Sequence, residues 1–128
     1  MQTNRREIGK KGEELATQFL IRKGYTILEQ NYRSPLGEID LIALDGLTIV
    51  FTEVKTRRSA SFGPPALSVT KQKQKKLVKL AQMYILQKNL RAIACRFDVI
   101  SIVARPDGSL EDLDHIENAF QVEGGEYI

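Results

Sequence analysis

The chain has one cysteine, one histidine and no tryptophan among its 128 residues. A single cysteine, Cys95, excludes an internal disulfide. It lies in the apolar run Ala92-Ile93-Ala94-Cys95 and reads as an inert core thiol. One histidine, His115, set among Glu111-Asp112-Leu113-Asp114, excludes a His/Cys zinc site. No Gly-x-Ser-x-Gly is present, so a serine-hydrolase elbow is absent too. No apolar stretch is long enough to span a bilayer. The polar start Met1-Gln2-Thr3-Asn4-Arg5-Arg6-Glu7 leads into no signal core. These absences point to a cytoplasmic protein with no membrane association. The length suits a single domain over 1–128, with 1–5 and 121–128 as frayed ends.

Acidic residues are missing from a long central tract. Between Val54 and Phe97 the chain has eleven basic residues and no acid. From Asp98 onward it has eight acids and one base, Arg105. The net charge of +3 conceals this asymmetry. A basic block suits a polyanionic partner, although lysines solvating an exposed helix face account for part of it.

What the chain does have is charge in unusual places. Gly37-Glu38-Ile39-Asp40-Leu41-Ile42 and Phe51-Thr52-Glu53-Val54-Lys55 are apolar runs of strand character that carry carboxylates and a lysine. Such charges are costly to bury unless paired or bound to metal. Asp45-Gly46 between them is a two-residue hairpin signal. With that turn, Leu44 faces Leu47, Asp40 faces Phe51 and Glu38 faces Glu53. Side chains alternate with period 2, so Glu38, Asp40, Glu53 and Lys55 share one face, and Ile39, Leu41, Thr52 and Val54 take the other. A three-residue loop would send Asp40 across the sheet. Two converging carboxylates repel unless a cation lies between them, and Mg²⁺ (or Mn²⁺) is held by one or two carboxylates with substrate phosphate. Lys55 can then orient or activate the attacking water or stabilise phosphate charge. The alternative is a solvated ion pair of Lys55 with Glu53 or Glu38.

Helical spacing of Ile8, Gly12, Leu15, Ala16, Phe19 and Leu20 predicts a helix from about Arg6 to Lys23, ended by Gly24. Glu13 flanks its apolar stripe and is either a boundary residue or one that leans over a sheet edge to a site. A first strand follows over about Tyr25–Arg33, Ser34-Pro35-Leu36-Gly37 turns into a second strand that carries the Gly37–Ile42 run, and a third strand covers about Thr48–Thr56. Ser59–Pro65 reads as a loop, either a connector or a cover for substrate. A second helix spans Val69–Lys88, with Lys73, Leu77, Leu80, Ala81, Tyr84 and Ile85 on its inner face and Lys71, Lys75 and Lys79 outside. Lys73 and Gln74 near its start are either snorkelling side chains or substrate contacts at a phosphate-favouring helix end. A strand over Arg91–Val103 and an edge strand within Ser109–Phe120 complete an α/β chain of order α-β-β-β-α-β plus β.

Asp40 followed by Glu53-Val54-Lys55 resembles the signature of the PD-(D/E)XK nucleases, a superfamily that includes restriction endonucleases and Holliday-junction resolvases. More closely, Gly9-Lys10-Lys11-Gly12-Glu13, Gly24-Tyr25, Asn31-Tyr32-Arg33, Gly37–Ile42, Phe51–Arg57 and Arg96-Phe97-Asp98 resemble the bacterial YraN-like family, over about Ile8 to Ile102. Ile39 stands where the superfamily often has proline. The resemblance implies a restriction-endonuclease-like three-layer sandwich with a mixed central sheet. It also implies Asp40, Glu53 and Glu13 as metal ligands, with Lys55 as the catalytic lysine. The main-chain carbonyl of Val54 is a further candidate ligand, and Lys73, Gln74, Arg57 and Glu38 are candidate substrate contacts. The expected function is a Mg²⁺-dependent DNA nuclease, acting on both strands most simply as a homodimer. The alternatives are a non-catalytic nucleic-acid-binding module and a charge-mediated structural adaptor.

Overall fold

A computed structural model describes residues 5–58, 69–90 and 94–121. The expected 59–65 loop and nearly all of the expected frayed ends lie outside the described residues. The elements are α1 (Arg5–Arg22), β1 (Thr26–Ser34), β2 (Gly37–Asp45), β3 (Thr48–Arg57), α2 (Lys71–Gln87), β4 (Cys95–Ala104) and β5 (Leu110–Phe120). Their order is the one expected from the sequence.

The helix ends follow from local chemistry. Gly24 has φ +98, and the bonds Tyr25 N–H to Leu20 O and Gly24 N–H to Ile21 O close a Schellman motif. Asn89, at φ +57, ends α2 in the same way, with Leu90 N–H donating to Ile85 O and Asn89 N–H to Leu86 O. The Thr70 hydroxyl caps the start of α2 by accepting from Lys73 N–H at 3.2 Å.

The five strands lie in the order β1-β2-β3-β4-β5. All neighbours are antiparallel except β3 and β4, which run parallel across the α2 crossover. Each helix covers one face. Leu77, Leu80, Ala81, Tyr84 and Ile85 of α2 pack with Ile42, Ile49, Phe51, Phe97 and Val99. Ala16 and Leu20 of α1 pack with Leu41, Ala43, Val50, Ile100 and Ile102. The result is a three-layer α/β sandwich with a mixed sheet. Strand β4 is buried on both faces, as its run Val99–Ala104, apolar but for Ser101, requires. Strand β5 forms one edge, where exposed Glu111, Asp112 and Asp114 discourage edge-to-edge pairing. Among the described residues no helix is long and apolar enough to cross a membrane.

The hairpin register differs from the expected one by two residues. Asp45 pairs with Thr48, so Gly46 and Leu47 form the turn instead of Asp45 and Gly46. Asp45 stays in the strand because Arg96 Nη1 holds its Oδ2 at 3.0 Å. A shift of two keeps every side chain on its expected face. Ile39 is the exception: it joins the α2-side cluster, not that of Leu41. The β2–β3 ladder stops at Leu41↔Thr52, which leaves β2 free to turn beyond it.

Candidate active site

The site lies where β2 and β3 part. Continuing their register one step would set Asp40 opposite Glu53. Instead of a backbone rung, Asp40 Oδ2 accepts from Val54 N–H at 2.8 Å. The carboxylate occupies the gap that the ladder leaves. Val54 thus enters the site through its amide.

Glu53 is held from two elements. Its Oε1 lies 3.6 Å from Lys55 Nζ on the same strand and 3.3 Å from Lys73 Nζ on α2. The Thr70 cap sets the first turn of α2, and with it the position of Lys73. Helix α1 reaches the cleft from the opposite layer. It crosses β3 at Gly12, where a Cβ would fall 2.0 Å from Thr56 Oγ1. This close approach brings the next residue, Glu13, over the sheet. Carboxylate oxygens of Glu13, Glu38 and Asp40 lie within 4.8 Å of one another. Asp40, Glu53, Glu38, Lys73, Lys76, Leu36, Gly37, Leu77 and Leu80 line a cleft of about 300 Å³.

The electrostatics follow from this crowding. Burial pushes the Asp40 carboxyl up to about 7, with Glu53, Glu13 and Glu38 adding like charge and the Val54 amide opposing the rise. Glu13 is raised by burial and then by Glu38, with Arg33 pulling the other way. Lys55 is lowered, first by burial and then by its contact with Lys73. Burial also disfavours charge on Lys73, but contact with Lys55 and Glu53 raises it overall. The donor set is all hard oxygen, and its mutual repulsion is of the kind a divalent cation relieves.

The structure therefore brings together Asp40, Glu53, Lys55, Glu13, Glu38 and Lys73. Glu38 belongs with the carboxylates, and its Oε2 accepts from Arg33 Nε at 3.0 Å. Gln74 lies apart, its side-chain amide donating to Val69 O at 3.0 Å. Arg57 ends β3 and is not among the residues lining the cleft. Sequence reasoning missed Lys76, one turn on from Lys73, and the leucine wall. It also gave no role to Asn31 or Arg33, whose Asn-Tyr-Arg run was visible.

The fold and cleft define a class: an α/β sandwich whose central strands part around carboxylates faced by two lysines. The chain belongs to a family described as Uncharacterised protein family UPF0102, whose model matches residues 12–102. It is 48% identical to a UPF0102 protein of Caldanaerobacter subterraneus subsp. tengcongensis, over 91% of this chain and 97% of that one. It is 52% identical to one of Thermodesulfovibrio yellowstonii, over 89% and 96%. A UPF0102 protein of Dictyoglomus turgidum is 44% identical, over 91% and 99%.

Proposed function

We propose that this protein is a divalent-metal-dependent nuclease that hydrolyses phosphodiester bonds in DNA, including branched or repair intermediates, in the cytoplasm. The observation that supports this reading is the convergence of Glu13, Glu38 and Asp40 within 4.8 Å, beside a cleft lined by Glu38, Asp40 and Glu53. Lys55 and Lys73 both reach Glu53. Asp40, Glu13 and Glu53 would hold Mg²⁺ or Mn²⁺. The cation, when bound, supplies Lewis-acid stabilisation of the charge that develops on the phosphate. Asp40 is pinned by the Val54 amide, so its carboxylate is oriented before any ligand arrives. Lys55 is the residue placed to orient the attacking water, or to take its proton when itself neutral. Lys73 keeps its charge and draws the phosphate into the cleft. A homodimer would supply a second cleft for the second strand.

The test uses labelled linear, flapped and four-way DNA with Mg²⁺ or Mn²⁺ titrated in. Cleavage is expected, and Lys55→Ala should lower its rate by about 10²–10³-fold with the fold intact. A Lys55→Ala variant that cuts at the wild-type rate would return Lys55 to an ordinary ion pair. Binding of DNA without cleavage of any substrate would instead identify a non-catalytic module. Calorimetric cation binding unchanged in Asp40→Asn/Glu53→Gln would remove the metal from the reading.

A further inference from the structure

Two side chains of strand β1, Asn31 and Arg33, contact carboxylates of the site. Asn31, with its amide nitrogen turned to α1, donates to both Glu13 Oε1 and Glu13 Oε2 at 3.2 Å. The surroundings dictate that orientation: reversed, the amide oxygen would face only acceptors and the nitrogen only donors. Arg33 meets Glu38 at 3.0 Å, but as a full charge on a side chain that is 76% exposed.

The backbone at Asn31 is unusual for a strand. Its φ is +52, in the left-handed region. Its neighbours pair as Gln30↔Leu41 and Tyr32↔Ile39, so Asn31 stands at the register position facing Asp40. Glycine would meet this conformation with less strain, and asparagine tolerates it better than most residues. What asparagine adds is the amide.

We infer that Asn31 is a positioning residue, which orients Glu13 as a cation ligand without neutralising it. The inference rests on the reading of the cleft as a divalent-cation site. A cationic partner would compete with the metal for the carboxylate. A neutral donor fixes the carboxylate and leaves its charge available. Ligand orientation by an outer hydrogen bond is a general feature of metal sites, and its loss typically weakens metal binding by about 10–100-fold.

The experiment compares Mn²⁺ affinity, by calorimetry or electron paramagnetic resonance, for the full chain and for Asn31→Gly, Glu13→Gln, Asp40→Asn and the Asn31→Gly/Glu13→Gln double variant. Asn31→Gly keeps the positive φ and removes only the amide. It should keep or raise Tm while weakening Mn²⁺ binding about tenfold or more. The double variant should bind no worse than Glu13→Gln, because Asn31 acts through Glu13. If Asn31→Gly binds Mn²⁺ as wild type does while Glu13→Gln and Asp40→Asn bind more weakly, the inference is wrong and the metal reading stands. Fully additive losses in the double variant, or a marked fall in Tm for Asn31→Gly, would also overturn it. A wild-type chain that binds no Mn²⁺ would overturn both.

Discussion

Asp40 holds its carboxyl at about 7 because burial and then Glu53 work against its charge. That is a stability statement as well as a chemical one. An unfolded aspartate titrates near about 3.9. Between that pH and about 7 the folded chain therefore keeps a proton that the unfolded chain releases. The folded state is favoured as pH falls through this window, and the penalty is complete above it. Without a cation, Asp40→Asn should consequently stabilise the fold at pH 8, by about 1–2 kcal/mol after ionic screening. Asparagine keeps an oxygen to accept from the Val54 amide, so the gain reflects charge and not a lost bond. It should vanish near pH 4. Thermal unfolding in EDTA at the two pH values measures it. A difference in Tm that does not change with pH would mean that the crowding of Glu13, Glu38 and Glu53 around Asp40 is relaxed by solvent.

At the scale of elements, the site depends on how closely α1 approaches β3. Gly12 makes that approach possible: a methyl group there would meet Thr56 Oγ1 at 2.0 Å and Thr56 Cβ at 3.0 Å. Threonine is β-branched and short, so it cannot swing clear. Gly12→Ala should cost about 1–3 kcal/mol by overpacking, and by lifting α1 it should also weaken cation binding through Glu13. Thr56→Ala in the same chain should recover part of the stability, since it removes the atom met most closely. Denaturant unfolding of both variants tests this, and a Gly12→Ala chain as stable as wild type would show that α1 shifts freely. The order of elements was legible in the sequence because each helix and strand has a clear period. The face shared by Asp40, Glu53 and Lys55 was legible for the same reason. The register was not, since Asp-Gly favours a turn that Arg96, distant in sequence, prevents by holding Asp45 in the strand. Nor were the partners of Glu13 and Glu38. Contacts between α1, β1 and β2 depend on packing distances that no local pattern encodes, and Asn31 shows nothing in the sequence of its positive φ.

Across the whole molecule, polar chemistry is divided between two networks. On the α1 side of the sheet, buried Asp98, opposite Thr52 in the β3–β4 register, accepts from Arg96 Nε at 3.0 Å and from the Asn118 amide at 2.9 Å, and lies 2.8 Å from His115 Nε2. Arg96 also reaches Asp45 and Tyr25, so the network links β1, β2, β4 and β5. There every charge is answered within the protein, and the Asp98 carboxyl lies below its ordinary range because His115 and Arg96 outweigh its burial. The cleft is different: three carboxylates crowd together, and the lysines of α2 spread from its rim to the outer surface. Lys73 and Lys76 line the cleft, whereas Lys75 and Lys79 are exposed on the outer side of the helix. If DNA enters the cleft, these lysines are unequal. Lys73→Ala should weaken DNA binding for all sequences and reduce the slope of log affinity against log salt by about one unit. Removal of Lys73 also strips Glu53 of one partner at 3.3 Å, which adds to repulsion of phosphate. Lys79→Ala should change affinity much less, since its charge lies on the other side of the helix and is screened over a Debye length of about 8 Å at physiological salt. The measurement is DNA affinity for both variants across a salt series. Equal small effects would make the basic tract a solvated face, and a larger loss at Lys79 would place the DNA on the outer surface of α2 and away from Asp40.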